Sequence, residues 1–180
     1  MRLQVLSPLQ TAYVLVTLAL AGCVGSGGNG DVYEMGNPAN AGALSFVVLD
    51  AEWRESLEGP NAARLPANRF LLVTATVRNQ GSVELPIPLL KLIGMGGNEF
   101  REEQNGDGVP QWFGLFRSVK PGETLSGKFL FDVQPGGYKL RIASGDAENE
   151  AFAFITLPFR AVPPPVKGVD PTAAHQPQFK

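Results

Sequence analysis

Between residues 43 and 159 the apolar positions come in short runs broken by clusters of Gly, Pro and Asn, the spacing of an all-β domain. The clearest run is 69–79. Leu71, Val73, Ala75 and Val77 fall on one side of an extended chain, and Leu72, Thr74, Thr76 and Arg78 on the other. Residues 123–133 alternate in the same way, with Leu125, Gly127, Phe129, Phe131 and Val133 opposite Ser126, Lys128 and Asp132. Turns are expected at 79–82 and at Pro121-Gly122, and a hairpin at 94–98. Further strands are expected at 43–49 (with Glu52-Trp53 as an extension), 89–93, 99–103, 138–142 and 151–157. Pro86 and Pro88 each remove a backbone donor, so the segment 84–88 belongs at a sheet edge. Residues 104–110 read as a polar loop, and 111–119, rich in aromatics, as either strand or packed loop. Seven or eight strands with no amphipathic helix, each with one apolar face to bury, predict an antiparallel β-sandwich.

Outside this region the pattern changes twice. Residues 12–21 are uncharged and mostly apolar, which is the length of a secretory h-region and too short for a membrane helix of about 20 residues. The run ends in Leu20-Ala21-Gly22-Cys23, which resembles the lipobox of bacterial lipoproteins. The resemblance implies cleavage before Cys23, acylation of its thiol and attachment to membrane lipid. Ala19-Leu20-Ala21 also fits an ordinary cleavage site before Gly22, which would release a soluble protein. The expected organisation is a signal peptide at 1–22, a lipidated Cys and Gly/Ser-rich tether at 23–42, the sandwich at 43–159, and a Pro-rich disordered tail at 160–180. By resemblance to enterobacterial sorting rules, Val24 after the Cys, rather than Asp, does not signal inner-membrane retention, so the outer membrane is expected if the host is diderm.

Composition narrows the functional classes. The 180 residues carry 15 Lys plus Arg against 17 Asp plus Glu, so a nucleic-acid surface lacks its electrostatic drive. A single Cys excludes an internal disulfide, and a single His excludes sites that need two. That His is His175, in the tail, where no fold would orient it as a catalytic base. Carboxylate pairs such as Glu84 with Glu99 are available for glycoside chemistry, but any β-protein offers them. The expectation is therefore a protein without enzymatic activity and without a cofactor beyond the lipid on Cys23.

Two stretches carry candidate binding chemistry. Trp112, Phe113, Phe116 and Arg117 lie together on a Gly/Pro-bounded segment. Exposed, they would make a contact patch for an envelope protein; buried, they would cap the end of the core. Glu103, Asn105 and Asp107 bring oxygens to a turn that is able to hold calcium, although the spacing is not that of an EF-hand. The competing reading is a solvated turn in which Asn-Gly and Asp-Gly supply backbone geometry.

With the strands placed, the order of motifs resembles a family of bacterial lipoprotein domains of unknown function with an immunoglobulin-like sandwich, related to a secreted mycobacterial-type antigen. The residues that carry it are the strand and Asn turn at 69–82, Gly97-Asn98-Glu99-Phe100, and the Pro-Gly-Glu turn and strand at 121–133. The resemblance implies the fold and offers no active site. The chain departs from it in the Pro-containing segment 85–88 and the aromatic run 112–116. Function is then expected to be a membrane-anchored module for protein binding or scaffolding in the cell envelope, or alternatively a calcium- or small-ligand-binding envelope protein.

Overall fold

The computed structural model describes residues 30–59, 62–146 and 150–159. Cys23, the lipobox, most of the tether and the tail with His175 lie outside these residues. Eleven strands follow in chain order: β1 (Asp31–Glu34), β2 (Ala39–Ala41), β3 (Leu44–Arg54), β4 (Phe70–Asn79), β5 (Leu85–Pro86), β6 (Lys91–Gly94), β7 (Glu99–Arg101), β8 (Ser118–Val119), β9 (Thr124–Asp132), β10 (Tyr138–Ala143) and β11 (Phe152–Leu157). They form a five-stranded sheet in the order β1-β11-β10-β6-β7, a four-stranded sheet β2-β3-β4-β9 and a two-stranded ribbon β5-β8. Every pairing is antiparallel except β1 with β11. The result is the expected immunoglobulin-like β-sandwich, with the extra strands all four residues or shorter.

The core lies between the two large sheets. From the four-stranded sheet Phe46, Leu71, Val73, Phe129 and Phe131 point inward, and from the other Leu92, Leu140, Ile142 and Ile155, all essentially without solvent contact. The alternation in 69–79 and 123–133 therefore orients both strands as expected, with Leu71 opposite Phe131 and Val73 opposite Phe129. Prolines and charges protect the edges. β7, the outermost strand of its sheet, is three residues long and carries Glu99 and Arg101.

One boundary differs from expectation. Among the described residues strands are already present at Asp31–Glu34 and Ala39–Ala41, so 31–41 belong to the sandwich rather than to a tether. The chain crosses from one sheet to the other at 35–38, pairing first with β11 and then with β3. The inward side chains of β2 are only Ala39 and Ala41, both fully buried, so the strand is stabilised by its neighbours and carries little hydrophobic signal of its own.

A second apolar cluster sits on the opposite, outward face of the four-stranded sheet. Phe70, Leu72 and Leu130 alternate with the core residues along β4 and β9, and Leu57, Val109 and the half-buried Trp112 cover them. The cover is built from two loops. Leu57 and Arg64 exchange backbone bonds of 3.0 and 2.8 Å, and the Arg64 guanidinium lies 5.0 Å above the Phe70 ring.

Candidate functional site

The two segments that depart from the family pattern, 85–88 and 112–116, meet at Arg117. Its guanidinium makes five hydrogen bonds. Nη1 and Nη2 donate to Oε1 and Oε2 of Glu102 at 2.6 and 2.7 Å, a fork-to-fork ion pair. Nε donates to the Ile87 carbonyl at 3.2 Å, Nη2 to that of Pro88 at 2.7 Å, and Nη1 to that of Gly114 at 3.0 Å. Glu102 Oε2 also accepts from the Leu90 amide at 3.0 Å. The guanidinium carbon stands 4.8 Å from the Phe129 ring centre and 5.9 Å from that of Phe113. Both charged side chains are buried, 2% and 0% exposed. Proline leaves 86–88 short of donors, and Arg117 supplies that segment with donors from the side.

Arg117 is thus no part of an exposed patch, which corrects that expectation. Its burial was legible from strand parity. Phe100 and Val119 point to the core, so Glu102 and Arg117, two residues along each segment, point inward as well. An inward acid requires an inward cation, because an unpaired buried charge is costly.

The aromatics of the run separate for the same kind of reason. Gln111 adopts φ 56°, unusual for a residue with a side chain, and turns the chain along the edge of β9. The Lys128 amide donates to the Gln111 carbonyl at 2.9 Å and the Phe113 amide to the Lys128 carbonyl at 3.2 Å. Extended over three residues, the segment sends Trp112 to the outer cluster and Phe113 to the core, where it stacks on Phe129 at 4.6 Å. Gly127 permits this approach, since a Cβ there would lie 2.9 Å from the Gln111 carbonyl oxygen and 3.0 Å from the Phe113 ring. Gly106 does the same under Trp112, whose indole occupies the place a Cβ would take. Only Phe116 among the four is fully in solvent, with Leu115 (37%) beside it and Leu89 (44%) on the segment that Arg117 holds. Sequence reasoning missed Leu89 and Leu115. A short turn between the inward Phe113 and Arg117 was the available signal, since its tip has nowhere to point but outward.

The calcium candidates are employed otherwise. Glu103 forms an ion pair with Arg64 at 2.8 Å, and Arg64 also donates to the Asn105 carbonyl at 2.6 Å. Asn105 Oδ1 accepts from the Asp107 amide at 2.8 Å, an Asx turn. The loop therefore closes the cover over the second cluster. Among the described residues no group of three or more His, Cys, Asp or Glu side chains comes together as a metal site.

Fold and site together define an immunoglobulin-like sandwich with a stitched, apolar-tipped loop at one edge. Residues 33–151 match the family model described as a domain of unknown function, DUF4352, and the chain belongs to that family. No curated protein matches it. Among solved structures, yjhA of Bacillus subtilis is similar over 70% of this chain and 99% of its own, at 15% identity and a TM-score of 0.52. A second Bacillus subtilis protein, ycdA, classed as a lipoprotein, is similar over 68% of this chain and 38% of its own, at 12% identity and a TM-score of 0.52. The secreted protein MPT63 of Mycobacterium tuberculosis is similar over 71% and 98%, at 14% identity and a TM-score of 0.50. These likenesses establish the fold.

Proposed function

We propose that this is an exported protein, anchored to the cell envelope through a lipid on Cys23, whose sandwich binds a protein partner through the tip formed by Leu89, Leu115 and Phe116 and catalyses no reaction. The observation that carries the reading is the contrast between Phe116, entirely in solvent, and its neighbour Arg117, buried and bonded five ways. A loop held this firmly keeps the backbone that carries the aromatic side chain in place, so less conformational freedom is lost when a partner covers it. Aromatic residues are enriched in the cores of protein interfaces. Export and anchoring are supported by the Leu20-Ala21-Gly22-Cys23 sequence, and by similarity to proteins classed as a lipoprotein and as secreted.

Two measurements test this. Metabolic labelling with a radioactive fatty acid should mark the wild type and not Cys23→Ser; equal labelling of both removes the anchor. A photo-cross-linking phenylalanine analogue at position 116, in the native host, should yield one discrete adduct that the same analogue at exposed position 78 does not. Absence of an adduct, or identical adducts from both positions, would overturn the binding tip.

A further inference from the structure

The outward face of the five-stranded sheet holds a feature unrelated to the Phe116 tip. A cleft of about 400 Å³ lies where the β6–β7 hairpin overhangs the start of β10 and the end of β11. That volume falls within the range of small-molecule sites. Ile93 is its outward apolar wall, with Met95 at the rim; Tyr138 and Leu157 border it too, but their side chains belong to the core. Two glycine-containing turns face each other across it, at Gly94–Gly97 and at Gly137, so backbone rather than side chains forms much of the opening. Met95 is 96% exposed at the hairpin tip. An unbranched thioether there is able to fold over an apolar guest of variable shape.

The polar side chains that line the cleft from its outward side are few. Lys139 and Thr156 line it, adjacent in register, with Ile93 on the other side of Lys139. Among the described residues Lys139 has no ion pair or side-chain hydrogen bond. The next outward row along the sheet is cationic throughout its last three strands, with Arg141, Lys91 and Arg101 directly opposite one another. Like charges in that relation repel. Glu99 relieves Lys91 at 2.8 Å, and Glu150, with the Phe152 ring 4.5 Å away, relieves Arg141. Among the described residues neither Lys139 nor Arg101 has an ion pair. Glu34, the other outward carboxylate in the row of Lys139, stands two strands from it.

An apolar cleft whose mouth opens onto unpaired positive charge is complementary to a molecule with an apolar chain and one anionic head. We propose that this cleft binds a single anionic amphiphile, its chain against Ile93 and under Met95, and its carboxylate or phosphate on Lys139.

The test uses the full-length chain carrying Cys23→Ser, so that no covalent lipid competes, with the Met methyl groups labelled for NMR. The probes are monomeric decanoate, decyl phosphate, decanol and decyltrimethylammonium. Decanoate and decyl phosphate should shift the Met95 methyl saturably. Decanol should bind more weakly, and the cationic probe more weakly still. Lys139→Gln should weaken both anions roughly three- to fivefold while leaving decanol unchanged. Ile93→Asp should abolish binding of all four. Both variants lie at the surface, and an unchanged Tm shows that they fold. Equal affinity for all four probes, no saturable shift at Met95, shifts only in the presence of anionic vesicles, or shifts centred on Phe116 would each overturn the proposal.

Discussion

The two large sheets treat their outward faces in opposite ways. On the four-stranded sheet Phe70, Leu72 and Leu130 point away from the core, and two loops, one carrying Leu57 and Arg64 and the other Val109 and Trp112, fold over them. On the five-stranded sheet the outward positions of β6, β7 and β10 include Lys91, Arg101, Lys139 and Arg141. The outward aromatics of β11, Phe152 and Phe154, pack on each other with Arg141 over Phe152, and the Gly-rich hairpin reaches over only one end. A block of outward apolar side chains gains from a roof, because burial contributes about 25 cal/mol per Å². Outward cations are already solvated and require none. A polar loop that looks functional in isolation, 104–110, is therefore occupied with structural work on the roofed face. The open face and the stitched tip keep surface available for ligands.

The tip offers the largest way to break this comparison. Arg117→Ala leaves Glu102 buried without a counter-charge and strips donors from the Ile87, Pro88 and Gly114 carbonyls, so a loss of about 3–5 kcal/mol is expected. Urea denaturation measures it. Glu102→Leu combined with Arg117→Met should recover much of that loss, since an apolar pair of similar size avoids the desolvation penalty of the ions. A double variant as unstable as Arg117→Ala alone would show that the carbonyl bonds, rather than the ion pair, hold the tip.

The roof comes next. Gly106→Ala puts a methyl group where the Trp112 indole lies, and it should cost about 1–3 kcal/mol by overpacking. It should also shift tryptophan emission to the red as Trp112 moves toward water. By contrast Phe116→Ser and Lys139→Gln, one at the tip and one on the open face, should each change stability by less than about 0.5 kcal/mol. A large loss from either would mean that its surface is structural too, and the contrast between the faces would fail.

Which parts of this were legible depended on whether the signal was local. Alternation along 69–79 and 123–133 identifies two central strands and their inward faces, because both carry large apolar residues at every second position. It also puts Leu72 on the outward side without saying what covers it, since the cover arrives from loops far along the chain. β1 and β2 escape because Asp31–Glu34 is charged at both ends and mostly exposed, and Ala39–Ala41 is small; pairing with longer neighbours holds both in the sheets. For the aromatic run, composition left burial and exposure open, and the run divides between them. Phe113 enters the core and Trp112 the roof, because Gly127 and Gly106 leave room for them, while Phe116 stays in solvent.

The smallest expected effect tests the open face as an electrostatic surface. Glu99 lies in the outward row beside the cationic one. Its carboxyl is held below the ordinary value of 4.5, first by the hydrogen bond from Lys91, then by the Lys91 charge, with Arg141 and Arg101 adding to it and slight burial opposing. A carboxyl whose folded value is depressed stabilises the fold at pH above its unfolded value, and that contribution fades as pH falls through the folded one. The group is exposed, so the loss should be modest and confined to acid. The side-chain carboxyl resonance of Glu99 should titrate below that of a solvated glutamate. Lys91→Gln should remove most of the displacement, and Arg101→Gln or Arg141→Gln a smaller part. High salt should shrink the long-range share, because charges separated by more than the Debye length of about 8 Å are screened at physiological ionic strength and more so above it. A displacement that survives both Lys91→Gln and high salt would mean that no cationic field spans this face, and the charge complementarity on which the cleft's anionic ligand depends would reduce to Lys139 alone.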